Sequence, residues 1–381
     1  MRMLVLGAGL QGSACAYDLL QNPEVKEVRL ADLHTGHLPH FLAPFSGERL
    51  IFTPLDVRDH EATLALMREC DAVMSAIPYY FNYDLAKVAV EAGVHFSDLG
   101  GNTEIVFKQK TLDAEAKKKN ITIIPDCGLA PGMVNILAEH GIKQLDEVDA
   151  VRIFVGGLPQ HPEPPLNYQI VYSLEGVLDY YTTLSWVLRN GKRTQVKALS
   201  EIERVYFGGS LGELEGFHTA GGLSTMAFRY EGKIPTMEYK TLRYPGHARI
   251  MEAIRELGLL ELTPVDVKGL KVVPRDLVVS AMGPRLTKPH GQDLVALRVF
   301  AEGKKNGKPK RIGWEMVDYY DEENGISAME RSTGYSLSIT GQMQVKGEIG
   351  KAGVFTPDEA IPAEKYIRAL AQRGVMIHEM R

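Results

Sequence analysis

The stretch from Met1 to Asp32 constrains this chain more than any other. A short apolar run, residues 1–6 (MRMLVL), passes at once into Gly7, Ala8, Gly9, Leu10, Gln11 and Gly12, and a helical pattern follows over residues 13–20. A second apolar run, residues 27–31, ends in Asp32, about twenty residues beyond the last glycine. Strand, glycine turn, helix, strand and acid in that order are the requirements of a dinucleotide-binding βαβ unit. Gly7 makes the tight turn, Gly9 lets backbone approach a pyrophosphate, and Gly12 lets the helix pack on the strand, while the helix N-terminus offers its amides to the phosphates. Leu10 and Gln11, within the turn, join the expected binding set. Asp32 is placed to accept hydrogen bonds from the adenosine ribose. Its charge repels a 2′-phosphate and no arginine follows within several residues, so the expected cofactor is NAD.

The alternation continues beyond the first unit. Strands are expected at residues 49–53, 72–77, 95–97 and 122–124, with helices at 59–69, 82–92 and 103–119 between them. This is the pattern of a doubly wound parallel sheet with strand order 3-2-1-4-5-6. Ligands of such sheets lie outside the carboxyl ends of the strands. Asp56 therefore joins the adenosine side, and Ala76, Ile77, Pro78, Leu99 and Gly100 should wall the nicotinamide.

Near Gly141 the texture changes to β-rich. Strands are expected at 149–156, 195–199, 237–243, 294–302, 310–320 and 325–331, with Asn306-Gly307 and Asn324-Gly325 as turns and helices at 173–187, 246–257 and 333–345. A chain of 381 residues also exceeds the size at which one core usually keeps growing. The expected architecture is thus α/β: a Rossmann doubly wound parallel sheet with a second α+β domain on a largely antiparallel sheet. Residues 1–130 form the first unit and 131–345 the second. The tail, with a helix near 363–372 and a strand at 375–378, reads as returning to the first unit, which residues 346–381 would complete.

The net charge of −5 gives no basic footprint for nucleic acid or an anionic membrane. No apolar run reaches the length of a membrane span, the N-terminus enters a strand directly, and Cys15, Cys70 and Cys127 are too few and scattered for a disulfide framework. A cytoplasmic protein with a small-molecule substrate is expected.

Two acids at neighbouring strand ends, Asp98 and Asp126, carry the strongest signal for chemistry. Oxidation of an amine requires loss of a proton from the ammonium form, so a carboxylate here serves as base or as counter-ion; capping of the following helix is the alternative. In the β-rich part, residues 215–222 read as a glycine-flanked loop carrying His218 and Thr219. Arg243 stands before a turn into a helix and suits two parallel hydrogen bonds to a substrate carboxylate. The proline-rich stretch 162–168 would present Tyr168 to the cleft. Cys127 is read as packing, the lysines and arginine of residues 304–311 as a solvated turn, and His34, His37 and His40 as unrelated residues, so no metal is expected.

Six stretches together resemble the saccharopine dehydrogenase and lysine dehydrogenase family. They are GAGLQG at residues 7–12, SDLGGN at 97–102, IIPDCGLAPGMVNILA at 123–138, PEPPLNY at 162–168, LEGFHTAGG at 214–222 and KTLRYPGH at 240–247. They are spread along nearly the whole chain. The likeness is greatest to members that oxidise lysine, although Cys127 stands where related segments often carry Leu. The resemblance implies NAD-dependent oxidative deamination of the side-chain amine of L-lysine to 2-aminoadipate 6-semialdehyde, which cyclises to a piperideine carboxylate. It also implies a second domain that carries substrate contacts and dimerisation, giving a homodimer or higher homo-oligomer. In that reading Arg243 holds the substrate carboxylate, Tyr168, His218 and Thr219 line the pocket, and Asp98 or Asp126 orients the ε-amine. Saccharopine-forming and carboxynorspermidine-forming enzymes share the family, and a non-catalytic NAD-binding sensor or scaffold is the alternative of another class.

Overall fold

A computed structural model describes residues 1–34, 38–209, 211–289 and 291–380. Two sheets organise the chain. The first is wholly parallel and runs Gly353–Val354, Thr122–Ile124, His95–Asp98, Ala72–Ser75, Arg2–Leu6, Glu27–Asp32, Leu50–Pro54. Its first six strands in chain order stand as 3-2-1-4-5-6, the expected order. Met3, Leu4, Val5 and Leu6 are fully buried. A central parallel strand is covered on both faces, which is why its sequence reads as an unbroken apolar run and not an alternating one.

The seventh strand comes from far along the chain. Gly353 and Val354 align with Thr122 and Ile123. The tail strand expected at 375–378 does not form. Gly374, at φ +76°, and the bond from Val375 N–H to Leu370 O wrap the end of helix Ala363–Ala371 into a turn. The strand begins later, as His378–Glu379, and pairs with Trp314 and Glu315 of the second sheet.

The second sheet has nine strands. Its main path is Glu203–Phe207, Gly212–His218, Thr236–Arg243, Glu147–Pro159, Asp293–Lys305, Lys308–Tyr319, His378–Glu379. Thr236–Arg243 also carries Ser185–Arg189, and that strand carries Lys192–Val196. All pairings but one are antiparallel; Thr236–Arg243 runs parallel to Glu147–Pro159. The Asn306-Gly307 turn forms as expected, both residues at positive φ.

Expectations fail at several points in this half, where strands Glu203–Phe207 and Gly212–His218 also form unexpectedly. Residues 173–187 split into helix Leu174–Thr182 and strand Ser185–Arg189, and helix Pro274–Leu286 was not foreseen. The strand expected at 325–331 is instead the start of helix Ala328–Val345. Ser327 Oγ accepts from Glu330 N–H at 3.1 Å while the Glu330 carboxylate accepts from Ser327 N–H at 2.8 Å, and Asp293 accepts from Ala328 and Met329 N–H at 2.7 and 2.9 Å. Four otherwise orphaned amides are satisfied there, which fixes the helix start. This helix runs beneath the first sheet, against helix Leu10–Gln21. A Cβ at Gly334 would stand 2.7 Å from Gln11 O and 2.8 Å from Ala14 Cβ. Among the described residues, no helix is long and apolar enough to cross a membrane.

Candidate functional site

The glycine turn behaves as its spacing requires. Gly7 has φ +95°, and a Cβ there would meet Ile77 Cγ2 at 2.8 Å and Ala76 O at 2.9 Å. A Cβ at Gly12 would overlap Gly7 O. At Gly9, by contrast, a Cβ would meet nothing within 4 Å, so the space above the turn is open to a ligand. Helix Leu10–Gln21 starts on Gly9 with no capping side chain and no acid in its first turn. Its first amides lack intrahelical acceptors and face that space, which is the arrangement a pyrophosphate needs. Asp32 Oδ2 accepts from Ala8 N–H at 2.7 Å, tying the acid to the turn. Asp56 lies on the neighbouring strand end and is held by Arg58 at 2.6 Å; that guanidinium pushes the carboxyl down to about 2.

A cleft of about 540 Å³ opens between the strand ends of the first sheet and one face of the second. Gln11, Ala76, Ile77, Pro78, Leu99 and Gly100 wall it on one side, together with Tyr79 and Tyr80. Both polar atoms of the Gln11 amide are buried without a partner, an unmet donor and acceptor beside the turn. These groups fit a bound dinucleotide.

Arg243 dominates the opposite wall. It is 3% exposed and lines the cleft. Nη1 donates to Leu242 O at 2.8 Å, Nε has no partner, and among the described residues no carboxylate pairs with it. A buried guanidinium without an anion is unfavourable unless a ligand supplies one. Tyr168 lies beneath it, ring centroid 4.8 Å from Cζ, with its hydroxyl unpartnered. His247 adds no second charge. Burial, with Arg243 nearby, pushes it down to about 3, and the neutral ring bonds Tyr181 Oη and Leu166 O. Thr219 also lines the cleft, its hydroxyl 2.7 Å from that of Thr241. Among the described residues, the other charged groups on the wall are Glu175 and Asp179.

Asp98 and Asp126 are placed differently from expectation. Both are buried, at 0% and 1% exposure, and neither lines the cleft. Asp98 turns toward helix Thr103–Lys110, where Gln109 Nε2 donates to it at 2.7 Å. Asp126 sits at φ +63° and sends its carboxylate behind Gly100, accepting from Gly101 N–H at 3.1 Å and from the Ser224 hydroxyl. Burial pushes Asp98 up to about 7 and Asp126 up to about 6. They lie one layer beneath the wall, and Asp126–Ser224 ties the first sheet to the second half of the chain.

Tyr168 and His218 also miss the cleft. Tyr168 supports Arg243 from the far side and lines a separate cavity. His218 ends strand Gly212–His218 instead of riding a loop, and the strand alternation turns it to the face of Lys240, its register partner. There Nδ1 faces Tyr239 O at 3.2 Å and Nε2 faces Glu201 at 3.1 Å. Glu201, His218 and Glu238 are close enough to share a metal ion. Arg189 already stands among them, 2.8 Å from each carboxylate, and fills the place of a cation. Cys127 is buried, Sγ 3.0 Å from Ile124 O, and Lys304 and Lys305 pair with Glu147 and Asp146 at the surface. Of the three early histidines, His37 lies outside the described residues.

Tyr239, Thr241, Tyr172 and Tyr180 were not foreseen. The first two were readable: Tyr239, Thr241 and Arg243 occur at every second position of one strand, so all three share the face toward the cleft. Tyr172 and Tyr180 had no such signal, because they come from the start and interior of a helical region whose orientation depends on its docking.

An open glycine turn at a helix N-terminus thus faces a buried arginine across a cleft, in a two-part chain whose first half is a Rossmann-like dinucleotide-binding fold. Residues 3–124 match the saccharopine dehydrogenase NADP binding domain and residues 128–375 the saccharopine dehydrogenase C-terminal domain. The chain belongs to the saccharopine dehydrogenase family. It is 26% identical to the saccharopine dehydrogenase [NADP(+), L-glutamate-forming] of Saccharomyces cerevisiae, over 77% of this chain and 66% of that one. It is 24% identical to the mitochondrial alpha-aminoadipic semialdehyde synthase of Mus musculus, over 93% of this chain, and spans 45% of that protein's length. The carboxynorspermidine synthase of Vibrio cholerae is 22% identical, over 95% of this chain and 93% of that one. Apo saccharopine dehydrogenase (L-Glu forming) from Saccharomyces cerevisiae shares the fold with a TM-score of 0.81 at 20% identity, covering 100% of this chain and 99% of that one.

Proposed function

We propose that this chain catalyses NAD-dependent oxidative deamination of the ε-amine of L-lysine to 2-aminoadipate 6-semialdehyde, which cyclises to the piperideine carboxylate. The observation that carries this reading is Arg243, a buried guanidinium with no anion of its own. The charged groups lining the wall are Arg243 and two acids, Glu175 and Asp179, the latter already paired with Arg275. That balance suits a substrate with a single carboxylate and cationic amines. Saccharopine, a tricarboxylate, would set its further carboxylates against acids. NAD is favoured by Asp32; the family name and the yeast relative refer to NADP, while a homospermidine synthase structure of the same fold, from Legionella pneumophila, contains NAD.

The bound dinucleotide supplies the hydride acceptor. Arg243 holds the carboxylate through paired hydrogen bonds. Tyr172, Tyr180 and Tyr239 enclose the aliphatic chain and keep bulk water from it, and Glu175 draws in the ammonium end. Asp98 and Asp126 act from beneath as positioning residues, holding the 98–101 turn against Ser224, and are not bases that touch the amine. Residues 1–130 with 346–381 serve the dinucleotide and 131–345 the substrate and self-association, in a cytoplasmic homo-oligomer; three buried free thiols accord with a reducing compartment.

The test is formation of reduced cofactor by purified protein offered lysine, saccharopine or carboxynorspermidine with NAD or NADP. Turnover of lysine with NAD is expected. Turnover of saccharopine or carboxynorspermidine alone moves the assignment to that substrate, and NAD binding without turnover of any amine favours a sensor. Arg243→Met should raise KM for lysine roughly 10- to 100-fold, the loss expected for hydrogen bonds to a charged group.

A further inference from the structure

The first two side chains of helix Leu10–Gln21 go different ways. Leu10 is exposed, whereas Gln11 lines the cleft with Ala76, Ile77, Pro78 and Leu99. The backbone of Gln11 is held from behind, since its carbonyl oxygen lies where helix Ala328–Val345 has room for Gly334 but not for a Cβ. The side-chain amide is unspent: among the described residues, Nε2 and Oε1 are both buried without a partner. Thr333, beside Gly334 and on the same wall, has its hydroxyl 3.5 Å from the thioether of Met329, a weak acceptor. The side chains of Ala76, Ile77, Pro78 and Leu99 supply only apolar surface. A buried amide with neither donor nor acceptor met is costly, and a ligand that meets both removes the cost.

The chemistry of a primary amide narrows what that ligand presents. A pyrophosphate offers acceptors alone and would set an anion against Oε1. A substrate ammonium offers donors alone and would leave Nε2 unmet. Adenine has a donor beside an acceptor, but it belongs with Asp32 and Asp56, neither of which lines this part of the cleft. A carboxamide carries its N–H and C=O side by side at the spacing of the glutamine amide itself, so two parallel hydrogen bonds form. We propose that Gln11 reads the carboxamide of the nicotinamide ring, Oε1 accepting from its N–H and Nε2 donating to its C=O, while Ile77 and Leu99 pack against the ring. Gln11 is thereby a specificity residue for the reactive end of the cofactor, as Asp32 is for the ribose at the other end. The proposal rests on the dinucleotide reading of the cleft and is independent of which amine is oxidised.

Calorimetric titration of the full chain with NAD, with 3-acetylpyridine adenine dinucleotide and with ADP-ribose tests the proposal without any amine present. The acetylpyridine analogue has a methyl ketone for the carboxamide, so it keeps the acceptor and loses the donor. ADP-ribose keeps adenine, both riboses and the pyrophosphate and lacks only the ring. Wild type should bind NAD roughly tenfold more tightly than the analogue. Gln11→Met, similar in length and a good helix former, should weaken NAD binding by roughly 10- to 100-fold. It should also bring the affinities for NAD and the analogue together and leave that for ADP-ribose unchanged, the pattern of a pairwise interaction removed from both sides. Gln11→Leu should behave alike, which guards against a disturbance peculiar to one substitution. A preference for NAD over the analogue that survives in both variants overturns the proposal. So does a parallel loss of ADP-ribose affinity in both, which assigns Gln11 to the phosphates or riboses. A wild type that binds neither NAD nor ADP-ribose overturns the dinucleotide reading itself, and the proposal with it.

Discussion

Asp98 keeps a carboxyl group where water does not reach it, with one acceptor of its neighbour left over: Gln109 Oε1 is buried and unpartnered. A protonated Asp98 satisfies that oxygen once the Gln109 amide turns over. The consequence for stability has a definite sign. Burial pushes Asp98 up to about 7 and Asp126 up to about 6, from 3.8. Between about pH 4 and 7 the folded chain therefore holds protons that the unfolded chain has released, and stability falls as pH rises through that window. Asp98→Asn keeps an acceptor for Gln109 Nε2 and has no charge to bury. It should be more stable than wild type at pH 8 by at least ~1 kcal/mol, with the difference vanishing near pH 4; urea midpoints at several pH values check this, and parallel curves would refute it. The sequence placed both acids at ligand-facing strand ends and was right about the backbone. It could not say which way the side chains turn, because that depends on Gln109 on the next helix, on Ser224 in the second half of the chain, and on a left-handed Asp126.

At the level of elements, helix Ala328–Val345 and strand Thr236–Arg243 teach opposite lessons. The strand was legible in detail, since period-two alternation alone assigns Tyr239, Thr241 and Arg243 to the cleft and Glu238 and Lys240 to the charged face. The same alternation, carried across to the partner strand, turns His218 away from the cleft, although its flanking glycines suggest a loop. The helix was half legible. Asn324-Gly325 suggests a hairpin, but the capping pair Ser327 and Glu330 decides for a helix. Its seat against helix Leu10–Gln21 depends on Gly334, where an added Cβ would fall 2.7 Å from Gln11 O, a backbone atom that cannot step aside. Gly334→Ala should destabilise the chain by about 1–3 kcal/mol as an overpacked contact. It should also weaken dinucleotide binding, because the displaced helix carries the phosphate amides. A melting shift with unchanged NAD affinity would separate the two effects and refute the second.

For the whole molecule, cofactor choice and substrate choice sit on different halves and can be altered apart. Asp32→Asn retains an acceptor for Ala8 N–H, 2.7 Å away, and removes the charge facing a 2′-phosphate. The ratio of kcat/KM for NADP over NAD should rise by about tenfold or more, equivalent to ~1.4 kcal/mol, with KM for the amine unchanged; an unaltered ratio would mean that Asp32 does not read the ribose. The composition and alternation of the chain made the two-part plan visible from the outset, and the glycine turn made the Rossmann half visible residue by residue. The return of the tail to the first unit is legible in outline but its strand is not, for a two-residue strand such as Gly353–Val354 carries too little pattern to be seen. That short strand imposes an order on synthesis. As the chain leaves the ribosome, the parallel sheet waits with Thr122–Ile124 as a naked edge and without the long helix that covers its underside. Neither is supplied until the entire second sheet but its last short strand has emerged, so the nucleotide-binding half, first to be made, is among the last to be finished.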